Sequence, residues 1–98
     1  MEPDNPVIFL KGMIKIFYHR SRSISMWLVV RRHLFSQIQR ESISLEEKAI
    51  LKKSIFNCQT TLVSLHDSLD RFCHLLTPMT LIQVRNANFS RAILSHHG

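Results

Sequence analysis

Between residues 45 and 76 the apolar positions recur in alternating steps of four and three: Leu51, Ile55, Cys58, Leu62, Leu65, Leu69, Phe72 and Leu76. A turn of α-helix takes 3.6 residues, so this spacing lines all of them up on one stripe. Ser44-Leu45-Glu46-Glu47 predicts the start of the helix. The Ser44 hydroxyl can accept the third amide while Glu47 reaches back to the cap, and both glutamates sit at the positive end of the helix dipole. Thr77-Pro78 predicts the stop, because a proline ring disfavours helical backbone at the residue before it. Ile50, Phe56 and Val63 widen the stripe beyond a two-stranded seam. The flanking positions also lack the paired opposite charges of a zipper, so a bundle helix with two neighbours is expected rather than an isolated coiled coil.

Upstream, Leu10, Ile14, Phe17, Ile24, Leu28, Phe35 and Ile38 keep a similar rhythm, and no proline interrupts residues 7–40. Asn5 is a favourable cap and Pro6 a favourable first helical residue. Gly12 and the serine-rich run 20–25 interrupt only weakly, at tenths to about 1 kcal/mol each. One long bent helix or two helices hinged near 21–25 both fit. After Pro78, a shorter pattern of Met79, Ile82, Phe89 and Ile93 follows Thr77 as cap and is weakened by Asn86-Ala87-Asn88.

The elements predict an all-α fold: a long antiparallel helical hairpin turning at 41–44, with a short C-terminal helix over 79–94 packed alongside, as a small three- or four-helix bundle. Residues 1–98 read as a single domain with 1–5 and 95–98 frayed. The seam residues expected at a core or protein interface are Leu51, Ile55, Leu62, Leu65, Leu69, Phe72 and Leu76. The short-long-short order 24–40, 45–76 and 79–94 loosely resembles the histone fold, which implies a paired partner and DNA contact; here the central helix is longer and the connections are shorter.

Composition narrows the class. With 98 residues, 45% of them hydrophobic, and only 2 Gly and 3 Pro, the chain is neither collagen-like nor low-complexity and has enough apolar surface to fold. A chain this short keeps much of its surface in water, so a second copy or another protein is expected as a partner.

Charge is laid out unevenly. Lys11, Lys15, Arg20, Arg22, Arg31, Arg32 and Arg40 fall between residues 5 and 40, where there is no acid, whereas residues 41–98 carry six basic and five acidic groups. Lys11, Lys15, His19 and Arg22 share one helical face. These seven basic residues are expected to meet an anionic partner. Nucleic acid along 11–40, an anionic membrane surface along the amphipathic stretch 7–20, and an acidic protein all fit, since the same electrostatics attracts each. Phe17, Tyr18, Trp27 and Phe35 interleave with the basic residues. Phe17 and Phe35 lie on the apolar stripe and are expected in the core, while Trp27 flanks it.

Catalysis is not expected. The chain has no P-loop, dinucleotide fingerprint or nucleophile elbow, and two glycines cannot build one. Cys58 lies on the stripe as a core thiol. Cys73 is fifteen positions further along one helix, roughly 22 Å away, too far for a disulfide. His66, Asp70 and His74 share a face but cannot close a metal shell from one helix, so neither metal nor other cofactor is expected, nor a small-molecule substrate. The pair His66-Asp67, with His33 upstream, resembles the metal-dependent HD phosphohydrolases at three residues; no acid follows Asp70 to supply the distal ligand.

The acidic, proline-bearing start does not read as a signal peptide or presequence, and two cysteines without a framework favour a reducing interior. The apolar runs 7–10 and 26–30 are far shorter than the roughly 20 residues of a membrane span. An intracellular protein, cytoplasmic or nuclear and without a transmembrane helix, is the expectation. Asn88-Phe89-Ser90 matches a glycosylation sequon by chance, and Arg20-Ser21-Arg22-Ser23 resembles a basophilic phosphoacceptor string. The reading as a whole is a small basic helical interaction module, non-catalytic, working as an oligomer or as an accessory subunit of a larger complex.

Overall fold

The computed structural model describes the backbone of residues 6–97 and the side chains of residues 6–90. It is all-α, with α1 (Pro6–Ile38), α2 (Leu45–His74) and α3 (Pro78–His97) in chain order. The Asn5 cap lies outside the described residues, as do the frayed ends expected at 1–5 and at Gly98. At 95–97, also expected to fray, α3 continues to His97.

α1 is one continuous helix through the serine-rich segment, which removes the two-helix alternative. It also removes the short first helix on which the histone-like order depended. Serine costs a helix only tenths of a kcal/mol, and Ile24, inside that segment, is buried at 6% exposure, so burial there offsets weak local propensity. Ser21 and Ser23 are half-buried within this helix, not displayed on an extended loop. Gly12 is helical, and a Cβ added there meets nothing within 4 Å. Gly12→Ala will therefore raise stability by about 0.5–1 kcal/mol, read as a higher midpoint in urea with an unchanged slope.

α2 begins at its expected cap. The Glu47 amide donates to Ser44 Oγ at 3.1 Å, and the Lys48 amide donates to the Ser44 carbonyl at 2.9 Å. The Glu47 carboxylate accepts from the Ser44 hydroxyl at 3.3 Å instead of reaching the backbone of the cap, and it faces Arg40 Nη2 at 3.4 Å. The helix ends at His74, before Pro78, as the Leu75 and Leu76 amides donate to the Phe72 and Cys73 carbonyls and tighten the last turn. Leu76 is thereby half-buried in the connecting turn and not on α2. α3 restarts at once, because the Thr80 amide donates to Thr77 Oγ1 at 3.2 Å and Pro78 needs no amide partner in the first turn.

The chain divides into two compact units, Arg22–Asp67 and Met1–Ser21 with Ser68–Gly98. In the first, Ile24, Ile55, Cys58 and Leu62 are buried; in the second, Phe72 and Val84 are. Leu51, Leu65 and Leu69, from the same α2 stripe, are half-buried. Two residues of the α1 stripe depart from expectation: Leu28 is 37% exposed and Phe35 39%. The reason lies in composition of the unit, which holds only two helical segments and covers only part of each helix's circumference.

Candidate functional site

The basic residues fall in two units, Lys11, Lys15 and Arg20 in one and Arg22, Arg31, Arg32 and Arg40 in the other. Lys11 and Lys15 are exposed and line a shallow groove with Ile14, Tyr18 and His19. Arg20, expected to face an anionic partner, is committed within the fold. Its Nη1 donates to the Ser68 carbonyl at 2.8 Å, and its guanidinium carbon lies 5.2 Å from the centre of the buried Phe72 ring. A flat, weakly hydrated guanidinium tolerates this half-buried position, where a lysine ammonium would lose more hydration.

In the other unit Arg40 is also occupied, through Glu47 and through its Nε donation to the Gln37 carbonyl at 3.2 Å. That pair is exposed on both sides and screened by salt, so it is worth about 0–1 kcal/mol. Arg22 is exposed. Arg31 and Arg32 are exposed and line an open groove with Leu28, Phe35, Ser36 and Gln39 on the same helix. Of the seven basic residues, Arg20 is half-buried and engaged within its unit, Arg40 is exposed and paired with Glu47, and Lys11, Lys15, Arg22, Arg31 and Arg32 are exposed.

Around the grooves the surface is strongly apolar. Met26, Val29 and Val30 of α1 and Ile50, Phe56 and Val63 of α2 are all exposed in the unit that holds Arg31. Ile82 and Phe89 are exposed in the other unit and, with Phe17 and Arg85, line a groove on α3.

The polar candidates are placed as follows. His66 and Asp70 are exposed, and His74 Nδ1 lies 2.7 Å from the backbone carbonyl of Asp70, the i, i+4 pairing running to main chain and not to the carboxylate. Among the described residues no group of three His, Cys, Asp or Glu side chains is placed to hold a metal ion. Cys58 is buried and donates its thiol proton to the Trp27 carbonyl at 3.5 Å. Cys73 is half-buried, and its pKa is raised, first by burial and then by the Asp70 carboxylate, against the opposing pull of Arg85. The neutral thiol is therefore favoured and its nucleophilicity reduced. No helix is long and apolar enough to cross a membrane among the described residues.

Asn88 belongs to the fold and not to a glycosylation site. Its amide nitrogen donates to the Val84 carbonyl at 2.9 Å and across to the Ile14 carbonyl of α1 at 3.3 Å, so the atom a glycan needs is directed into the unit. This link also explains how α3 runs through Asn86-Ala87-Asn88 despite poor local propensity. Its Oδ1 is buried without a partner. Asn88→Leu, which removes that unpaired acceptor together with the donor, will change stability by less than Asn88→Asp. The aspartate would set a carboxylate against two carbonyl oxygens and lose about 1–3 kcal/mol or more, read as the difference in thermal midpoint between the two variants.

Sequence reasoning found the exposed arginines and, in Ile50, Phe56 and Val63, the excess width of the α2 stripe, but did not place the exposed Met26, Val29 and Val30 of α1 in the same unit as Arg31. Compared with protein-family models, with curated proteins and with solved structures, the chain matches none.

Proposed function

We propose that this chain is a non-catalytic helical interaction module that works as an oligomer or as a subunit of a larger complex. The observation that carries this reading is the balance of apolar side chains. Among the described residues six hydrophobic side chains are buried, while seventeen large ones are exposed. Scattered apolar residues are ordinary on a protein surface, but groups of them on neighbouring turns mark surfaces that a partner covers. On α2 the exposed Phe56 and Val63 are seven residues apart and so share one face.

The finer architecture that accompanies this proposal is an antiparallel pairing of α1 with α2. Within residues 22–67 it is supported by two contacts: Arg40 with Glu47, and Trp27 with Cys58, so the position on α2 rises as that on α1 falls. Nucleic acid or an anionic membrane surface is the rival partner. Against one continuous cationic track stands the engagement of the half-buried Arg20 with Ser68 and Phe72.

Sedimentation equilibrium of the full chain across a hundredfold range of concentration tests the reading. The expected result is a mass above the 11.5 kDa of one chain, or a monomer that binds a hydrophobic dye in its native state. A monomer at every concentration that melts cooperatively and binds no dye would sink it, because the apolar surface would then need no partner.

A further inference from the structure

We infer that the groove on α1 formed by Leu28, Arg31, Arg32 and Phe35 is a docking site for an acidic amphipathic helix of a partner protein; this rests on the interaction-module reading and names the partner's chemistry. Leu28 and Phe35 are seven residues apart, so on a helix of 100° per residue they lie within about 20° of each other and about 10 Å apart along the axis. Arg31 and Arg32 fall between them, about 50° to either side of that line. The four side chains share one open groove, which Ser36 and Gln39 also line. All four are exposed.

This is the pattern of a helix face that packs against another helix: two apolar anchors at i and i+7 with charge between and beside them. Charge decides the occupant. Helix α1 has no acid anywhere along its length, and neither Arg31 nor Arg32 makes an ion pair or hydrogen bond among the described residues. A second copy docked by the same face in a two-fold manner would bring these arginines towards their own equivalents, and like charges across a contact are costly. A helix with carboxylates beside its apolar residues pairs both arginines, each able to take a carboxylate with two parallel hydrogen bonds, and covers Leu28 and Phe35 at the same time. Nucleic acid satisfies the charge but leaves two large apolar side chains, and neighbouring Val29, uncovered.

The test uses fluorescent synthetic helical peptides with leucines seven apart, carrying either glutamates or lysines between them, together with a 20-base-pair duplex and vesicles containing phosphatidylserine, each titrated with the full chain at low and moderate salt. The glutamate peptide is expected to bind and the lysine peptide not to. Arg31→Glu with Arg32→Glu will weaken the glutamate peptide by at least about tenfold and transfer binding to the lysine peptide, a reversal that loss of folding cannot produce. Phe35→Gln will weaken the glutamate peptide at both salt concentrations, as expected when apolar burial contributes. Equal binding of the two peptides, no binding of either, or tighter binding of duplex or vesicles than of the glutamate peptide would overturn the inference. Because oligomeric mass is measured separately, a chain that self-associates yet ignores the peptide defeats this inference while leaving the interaction-module reading in place.

Discussion

Leu62→Asp will abolish the cooperative thermal transition and much of the helical circular-dichroism signal. Leu62 is 4% exposed and is one of four buried hydrophobic residues in its unit, beside Ile24, Ile55 and Cys58. The substitution removes a buried leucine, at about 2–5 kcal/mol. It also places a carboxylate where the buried neighbours are apolar, at several kcal/mol more unless it is protonated. Against a total stability of about 5–15 kcal/mol for a small domain, the combined loss is enough to unfold the unit. Leu65→Asp, at a half-buried position of the same unit, will unfold it less completely, and Leu69→Asp, half-buried further along the stripe, will destabilise the other unit. Phe56→Asp supplies the control: Phe56 is 68% exposed, so the helix signal should survive while any association through that face is lost. A Leu62→Asp protein that melts within a few degrees of the parent would show that the α2 stripe is not a buried seam.

Phe72→Ala will cost about 3–5 kcal/mol, the range for deleting a buried aromatic ring. Phe72 is 6% exposed, and its ring carries the Arg20 guanidinium. The two contributions can be separated. Phe72→Leu keeps most of the apolar burial and loses the ring face, so its cost relative to the parent includes the cation–π contact, about 0.5–2 kcal/mol. A double-mutant cycle with Arg20→Met will return a coupling of that size, measured by urea unfolding. Coupling indistinguishable from zero would mean that Arg20 is held by the Ser68 carbonyl alone.

The two results bear on how the basic stretch is read. From residue types, Arg20 and Arg31 are equivalent members of an acid-free run, yet one is anchored to Ser68 and Phe72 and the other is exposed beside an apolar groove. The difference arises from what stands opposite each side chain, 48 residues away in sequence for Arg20. The same holds for Asn88, whose neighbours in sequence match a sequon and whose neighbours in space are the carbonyls of Ile14 and Val84.

What the sequence determined by itself is the helical content and its punctuation. The caps at Ser44 and Thr77 and the break at Pro78 depend on contacts within about four residues, and such contacts are encoded in adjacent residue types, whereas the continuity of α1 through its serine-rich segment was left open by them. The α2 stripe was legible for the same reason, since its buried members Ile55, Cys58, Leu62 and Phe72 follow a spacing that any helix imposes. Only the tertiary structure decided how far each stripe is covered. Ile24 and Phe35 obey one periodicity, but Ile24 is 6% exposed and Phe35 39%, because burial requires a neighbouring segment to be present and a periodic pattern states only which way a side chain points. The open groove at Leu28, Arg31, Arg32 and Phe35 exists for that reason: the helix that carries it has an apolar face wider than the one segment packed against it within its unit.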